Sequence, residues 1–175
     1  MGLENIKEVP LTQGKIAIVD AVDYERVAVF KWHATFSHGD WKARTWIKGS
    51  NPRKSVSLHR LILSPPTDRQ IDHRDGDGLN NRRTNLRIAT FSQNRCNTTS
   101  RSASGYKGVM PTNQQKTRWR AQIKVNGVGL HVGCFQSPED AARAYDIAAR
   151  QHFGEFACIN FPANGERSAR RGTSR

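Results

Sequence analysis

The chain has 175 residues, a size that allows one ordinary domain or a few small ones. It carries 28 Lys and Arg against 15 Asp and Glu, which gives a formal net charge of +13 and a pI of about 10.4. This charge favours a polyanionic partner, because basic side chains displace the counterions condensed on nucleic acid. A membrane partner is not supported, since the sequence has neither a long apolar run nor a basic amphipathic helix.

The cysteines, Cys96, Cys134 and Cys158, form no CxxC pair and are odd in number. Neither a zinc finger nor a disulfide framework is therefore expected. The N-terminus has no apolar segment typical of a signal peptide. We expect a reduced, cytoplasmic protein.

Residues 1–66 are predicted to be rich in strands and to complete the domain that follows. An apolar run covers 15–19, and Trp41, Ala43 and Thr45 alternate with Lys42 and Arg44 after a predicted turn at 38–40. A further alternation at 55–58 leads into HRLIL, where a helical turn is expected, and two prolines end the region.

Residues 67–100 have a polar centre between short apolar stretches, and we predict a strand, a loop, a strand and a helix there. The first strand covers 70–73 and the second 86–89. The loop between them is rich in Asp, Asn and Gly, which tolerate left-handed conformations and form turns. Thr90 is a suitable cap for a short helix over 91–97.

Four residues of this region have the chemistry that phosphodiester hydrolysis needs, namely a base that activates water and a cation that neutralises charge on the phosphate. Asp72 and His73 place a hard oxygen ligand beside an imidazole at the end of the first strand. Asn94, on the helix, is a second candidate ligand. Asn85 lies between them and can tie the loop with its amide.

The other polar loop residues have a simpler interpretation as turn formers: Asp75, Asp77, Asn80 and Asn81. A calcium-binding EF-hand is excluded, because Leu86 stands where that loop needs its twelfth residue, Glu.

The central residues resemble the HNH endonucleases, whose ββα-metal motif is a strand, a loop, a strand and a helix. The resemblance extends from IDHRDGDGLNNRRTNL to SQNRCN, with HRLIL before it. It implies that His73 is the general base, that Asn85, twelve residues on, is the middle asparagine, and that Asn94, nine further, binds the metal. Asp72 matches the residue before the base, a metal ligand in the branch related to phage intron-encoded nickases.

This resemblance implies one divalent ion, and the hard oxygen ligands favour Mg²⁺ or Mn²⁺ over Zn²⁺. No small-molecule cofactor is expected. Neutral His73 would deprotonate water for in-line attack, with the 3′ oxygen as the leaving group. Arg82 and Arg95 are candidate contacts to flanking phosphates. His59, in HRLIL, is assigned a supporting position behind the site, with a phosphate contact as the alternative.

Residues 105–162 are predicted to form a compact unit of strands followed by a helix, after a linker at 101–104. Asn126-Gly127 is a strong signal for a two-residue hairpin turn. Such a turn places three pairs on one apolar face, namely Val125 with Val128, Ile123 with Leu130, and Ala121 with Val132. The opposite face then carries basic and hydrogen-bonding side chains: Arg118, Arg120, Gln122, Lys124 and His131.

A helix is predicted from Ala141 to about Phe153, with Ser137 as its cap, Pro138 in its first turn and Gly154 as its stop. The side chains that share its packing side are Ala141, Ala144, Tyr145, Ala148 and His152 or Phe153. The Arg-, Ser- and Gly-rich end, 163–175, is predicted to be a basic disordered tail.

This unit resembles the plant ethylene-response-factor (Apetala-type) DNA-binding domain in SGYKGV, WRAQI, VGCF, EDAARAYDIAA and GEFACINFP, over about 104–162. The resemblance implies that a three-stranded sheet lies in the major groove with the helix packed behind it. The positions that match the DNA-facing surface of that family are Lys107, Gln122, Lys124 and His131. Arg118 and Arg120 come from the alternation alone. Met110 and Thr112 stand where that family has arginines, so its target sequence is not carried over.

The expected fold class is α+β, with an HNH ββα-metal core plus a three-stranded antiparallel sheet packed on one helix. The whole arrangement is similar to phage and prophage HNH proteins. It predicts a monomeric, site-selective endonuclease for double-stranded DNA in the cytoplasm of a bacterial host or phage-infected cell. The alternative is a non-catalytic DNA-binding regulatory protein with a degenerate HNH motif. An RNA-binding protein is disfavoured, because the exposed sheet face lacks stacking aromatic residues.

Overall fold

The computed structural model describes residues 5–37, 39–99, 102–112 and 118–169. It is a mixed α+β structure with several small sheets and few helices. The chain divides into two compact units, residues 1–88 and 89–175. None of the helices in the described ranges is long and apolar enough to cross a lipid bilayer. The predicted turn at 38–40 includes residue 38, which lies outside the described residues.

The first unit is built on small sheets. β1 (Ile6–Pro10) pairs antiparallel with β2 (Ile16–Asp20). β3 (His33–Ser37), β4 (Asp40–Trp46) and β5 (Ser55–Ser57) form an antiparallel sheet in that order. β6 (Gln70–His73) pairs with β7 (Leu86–Ala89), whose last residue begins the second unit. The α-helices α1 (Ala21–Ala28) and α2 (Leu58–Leu63) also belong to this unit.

Side chains along β4 alternate between buried and exposed positions. Ala43 and Thr45 are buried while Arg44 and Trp46 are exposed, as the sequence pattern predicts. The buried side chains of the first unit form one hydrophobic core that includes Val19, Val27 of α1 and Leu58 of α2. Trp32, just before β3, also belongs to it, together with other members from the sheets: Val9, Ala17, Ala34, Ile71 and Leu86. This core therefore supports β6 and β7 directly.

The second unit begins with α3 (Phe91–Cys96) and continues into a three-stranded antiparallel sheet. Its strands are β8 (Val109–Pro111), β9 (Trp119–Val125) and β10 (Val128–Phe135), with β9 in the centre. α4 (Pro138–Phe153) packs on this sheet through one hydrophobic core. β11 (Cys158–Ile159) and β12 (Arg167–Ser168) form a short parallel pair. The predicted three-stranded sheet and its single packing helix are both present.

The β9–β10 hairpin follows the predicted register only near its turn. Val125 lies opposite Val128 and Ile123 opposite Leu130, as expected. The third predicted pair is wrong, because a β-bulge between His131 and Gly133 places Gly133, not Val132, opposite Ala121. The apolar face is also less covered than predicted, since Val128 is 60% exposed.

α4 begins and ends where its sequence signals predict. The Ser137 hydroxyl accepts a hydrogen bond from the Asp140 amide at 3.1 Å, Pro138 occupies the first turn, and Gly154 ends the helix with a φ of 52°. The buried side of the helix carries the predicted Ala141, Tyr145 and Phe153. It also carries three residues that the sequence pattern did not indicate: Ala142, Asp146 and Ala149.

The segments on either side of this module are more ordered than predicted. Ser102 and Ser104, placed in a linker by sequence, both donate to the Val109 carbonyl, at 2.7 and 2.9 Å. The prediction of disorder is wrong for 163–169, because Arg167 and Ser168 form β12. Glu166 accepts two bonds from Arg150, and this pairing lowers the pKa of Glu166 to about 2. Residues 170–175 lie outside the described residues.

Candidate functional site

The predicted order of strand, loop, strand and helix is present at 70–96. β6 and β7 have the predicted bounds, and α3 ends one residue earlier than predicted. A capping box fixes the start of α3: the Thr90 hydroxyl accepts from the Gln93 amide at 3.2 Å, and the Gln93 side chain accepts from the Thr90 amide at 2.8 Å. The chain therefore leaves β7 directly into a defined helix.

His73, the predicted general base, lies at the end of β6 and is only 5% exposed. Its Nε2 atom is 3.5 Å from Oδ1 of Asn81. The ring of His59, on α2, meets the His73 ring edge to face with their centroids 5.2 Å apart. The structure therefore brings together the predicted base and the predicted supporting residue, and it adds Asn81.

Burial keeps both histidines neutral near pH 7. It is the main reason why the pKa of His73 lies below its usual value, and the positive charge of Lys42 lowers that pKa further. Burial lowers the pKa of His59 still more, and His73 contributes to that decrease. A neutral imidazole is the form that can accept a proton from water.

Asp72, the predicted metal ligand, is paired with an arginine that sequence reasoning missed. The Nε and Nη2 atoms of Arg87 are each 2.7 Å from Oδ2 of Asp72, and both side chains are buried. Position 87 faces position 72 only after β6 and β7 have paired. The carboxylate is therefore oriented, and its charge compensated, by the guanidinium.

Asn85 ties together the loop between β6 and β7. Its Nδ2 atom donates to Oδ1 of Asp75 at 2.9 Å and to the Asn80 carbonyl at 2.8 Å, while its Oδ1 accepts from the Asp75 amide at 3.1 Å. Asp75 and Asp77 accept further bonds from amides two residues on, at 2.8 and 2.9 Å. These contacts are those of turn formers around one central amide.

The same loop is held against the rest of the first unit by several contacts. The Gly78 amide donates to Asp40, and a Cβ atom at position 78 would lie 2.3 Å from the Trp41 carbonyl oxygen, so only glycine fits there. Arg82 pairs with Asp20 at 3.3 Å. Arg83 donates to both oxygens of the buried Asp23, at 2.7 and 2.8 Å. Arg82, a predicted phosphate contact, is thus engaged in an internal ion pair.

Asn94 and Arg95 belong to α3 in the second unit. Arg95 is exposed, and its guanidinium lies 5.7 Å from the centroid of the Phe91 ring. Asn94 is half-buried, and its role as a metal ligand stays a prediction. Within the described ranges, no group of three His, Cys, Asp or Glu side chains is placed to hold a metal ion.

The sheet of the second unit has one face against α4 and one open face. Ala121 and Ile123 of β9 pack in the core, whereas the residues that alternate with them turn away from it. The predicted residues on this open sheet face are Arg120, Gln122, Lys124 and His131. Gln122 pairs with His131 across the hairpin, and its side chain covers Gly129.

Two residues predicted to face DNA lie elsewhere. The Lys107 ammonium donates to the Cys96 carbonyl inside the unit, and burial lowers the pKa of Lys107. Arg118 lines a cleft with four residues of α4: Asp140, Arg143, Ala144 and Ile147. Lys107 therefore points into the unit, whereas Arg118 precedes the first residue of β9, where the alternation of that strand does not apply.

The chain is similar to an uncharacterized HNH endonuclease of Acanthamoeba polyphaga mimivirus, with 29% identity over 154 residues, 85% of this chain and 76% of that protein. It is 33% identical over 114 residues to an AP2/ERF and B3 domain-containing transcription repressor of Arabidopsis thaliana, 64% of this chain and 29% of that protein. An AP2-like ethylene-responsive transcription factor of the same plant is 48% identical over 67 residues, 37% of this chain and 13% of that protein. No family model matches the chain. These similarities indicate a nuclease or a DNA-binding protein.

Proposed function

We propose that the chain is a site-selective endonuclease that hydrolyses double-stranded DNA by HNH chemistry. The observation that carries the proposal is the buried imidazole of His73, held neutral by burial, at the end of a strand whose following loop is ordered by Asn85. Asp72, the proposed metal ligand, precedes it on the same strand. Similarity to an HNH endonuclease over 85% of the chain supports it.

In the proposed reaction, His73 takes a proton from a water molecule as that water attacks the phosphorus in line with the 3′ oxygen. Asp72 and Asn94 would hold one Mg²⁺ or Mn²⁺ ion, which would neutralise charge on the phosphate and on the leaving oxygen. Their oxygen donors fit such a hard ion. Arg87 orients the Asp72 carboxylate, as hydrogen-bonded outer partners of ligating carboxylates do. Asn85 keeps the loop ordered next to the base.

DNA would be bound through the open sheet face, with Arg120, Gln122, Lys124 and His131 as the proposed contacts. These side chains provide positive charge together with hydrogen-bond donors and acceptors, the combination that reads base edges in the major groove. Arg95 is a further proposed phosphate contact, because it is basic and exposed on α3. Lys107 and Arg82 are left out, because each is engaged inside its own unit. Arg118 lies in a cleft beside α4, and its DNA contact stays a prediction.

A non-catalytic DNA-binding regulator is the second candidate function. The observation that favours it is the ion pair between Asp72 and Arg87, because a cation already compensates the carboxylate that should attract the metal. In that case the central loop would have only a structural role, and the open sheet face would carry the function.

A protein without catalytic activity would cleave no plasmid at any Mn²⁺ concentration, whereas the proposed nuclease should depend on the ion held by Asp72 and Asn94. Asp72→Asn keeps an oxygen for Arg87 but removes the negative charge, so we expect it to raise the Mn²⁺ concentration for half-maximal plasmid cleavage by at least about tenfold. Asn94→Ala should have a smaller effect, because the amide is neutral. The exposed Asp68 provides the matched control, Asp68→Asn, which should leave the Mn²⁺ titration unchanged. An unchanged Mn²⁺ response in both site variants would place the ion elsewhere.

The proposed setting is the cytoplasm of a bacterial host or phage-infected cell. The monomeric state stays a prediction.

A further inference from the structure

Asn81 is the polar residue held most completely inside the loop between β6 and β7. It is 0% exposed. Its Nδ2 atom donates to the Leu79 carbonyl at 3.0 Å and to the Gly78 carbonyl at 3.3 Å, and its backbone amide donates to the Ile18 carbonyl at 2.8 Å. Both the backbone and the side-chain amide are therefore fixed in one orientation.

That orientation determines which Asn81 atom faces the base. With Nδ2 directed at two carbonyl oxygens, Oδ1 is the atom 3.5 Å from Nε2 of His73. The opposite amide orientation would place Oδ1 against the carbonyl oxygens of Gly78 and Leu79, where it would have no donor. An amide oxygen can only accept a hydrogen bond, so the proton in this contact must be on the imidazole nitrogen.

We propose that Asn81 is a positioning residue that holds His73 in the tautomer with its proton on Nε2, so that Nδ1 is the nitrogen that takes the proton from water. The role of Nδ1 rests on the proposed endonuclease function, whereas the tautomer itself does not. A neutral imidazole carries one N–H, and the hydrogen bond made by that N–H decides which nitrogen is basic.

The structure thereby separates the roles of two asparagines. Asn85 bonds Asp75 and Asn80 and orders the loop. Asn81 contacts the imidazole, and the edge-to-face ring of His59 limits the rotation of that imidazole from another side. The sequence pattern assigns Asn81 only a turn-forming role, because its contact with His73 depends on the folded loop.

The tautomer can be measured without DNA or metal, in a long-range ¹H–¹⁵N spectrum of uniformly labelled, full-length protein at a pH where His73 is neutral. The His73 signals are assigned by their loss in His73→Ala. We expect the Nε2–H pattern for the wild-type protein and a shift towards Nδ1–H in Asn81→Leu, which keeps a similar volume but removes the acceptor. Asn80→Ala is the matched control, because the Asn80 side chain contacts Asp75, and it should retain the wild-type pattern.

A wild-type spectrum with the proton on Nδ1, or an unchanged pattern in a folded Asn81→Leu variant, would overturn the proposal. If Asn81→Leu does not fold, Asn81→Ala provides the same comparison, because a neutral histidine side chain by itself favours the Nε2–H tautomer and only loss of the Asn81 acceptor tests its role. In single-turnover cleavage, Asn81→Leu should lose about 10²-fold or more in rate with unchanged DNA affinity, because a wrong tautomer disables a positioned base. If the Asn81 variant shifts the pattern away from the wild-type Nε2–H form but the wild-type protein does not cleave DNA, the proposed function fails while the assignment of Asn81 stands.

Discussion

Replacing His73 with alanine is expected to lower the rate of DNA cleavage by about 10³-fold while DNA affinity stays close to wild type, because a general base acts only in the chemical step. The imidazole is buried, neutral and in contact with Asn81 and His59, and the proposed DNA-binding residues lie on the open sheet face of the other unit. Cleavage is measured under single-turnover conditions, and affinity is measured without divalent ions.

His33→Ala is the matched control, because His33 is an exposed histidine of the same unit, on β3. It should cleave like the wild-type protein. His73→Gln preserves more of the buried volume and should be as inactive as His73→Ala, which separates loss of the base from loss of packing. Cleavage within tenfold of wild type in both His73 variants would remove this residue from the role of base.

Replacing both Gln122 and His131 with alanine is expected to reduce the preference for the cognate site by roughly 30-fold or more, since each of the two base contacts is worth about 1–3 kcal/mol. The two residues face each other across the β9–β10 hairpin, next to a bulge that changes the direction of β10. Full-length variants are the appropriate test, because Ala89 and Cys96 belong to the core of the second unit and a truncation near residue 104 would disrupt it.

Lys124→Ala should behave differently from the double variant. We expect a uniform loss of affinity and a salt slope smaller by about one charge, because a phosphate contact is independent of sequence. Lys48→Ala, an exposed lysine of the first unit, is the control for net charge. The measurement is cleavage of a randomised DNA library at several salt concentrations. Equal site preference in the wild-type and double-variant proteins would show that the sheet does not read the sequence.

Sequence patterns predicted those elements whose signals are local. β6, β7 and α3 follow from short apolar stretches around an Asx-rich loop and from the Thr90 cap. The β9–β10 turn follows from Asn126-Gly127, which adopt φ values of 50° and 87°. In each case the residues that determine the structure are close together in the sequence, so no knowledge of the tertiary fold was needed.

The features that the sequence did not predict depend on contacts between distant residues. The short helix α1 buries only Asp23 and Val27, and an arginine sixty residues away pairs with Asp23. The Asp72–Arg87 pair requires the pairing of β6 with β7. The bulge after His131 interrupts an alternation that looks regular in the sequence.

The site residues also divide into positions that local sequence signals predict and contacts that only the folded chain creates. The positions of Asp72 and His73 at the end of β6 follow from the sequence, as does the Asn85 amide within the loop. The His59–His73 contact requires α2 to pack behind β6, and the Asn81–His73 contact requires the folded loop. Local motifs therefore identified the reactive groups, while their orienting partners became evident only in the folded chain.

Cleavage of covalently closed, supercoiled plasmid tests the proposed activity most directly, because a closed circle has no ends for an exonuclease to attack. The purified full-length protein is incubated with plasmid and Mg²⁺ or Mn²⁺, with an EDTA reaction beside it. We predict conversion to nicked or linear DNA with one of the two ions and none in EDTA, with 5′-phosphate and 3′-hydroxyl groups at the new ends. A plasmid that stays closed with both ions, although the same preparation binds it, would contradict the proposed endonuclease activity. The protein would then be a non-catalytic DNA-binding protein.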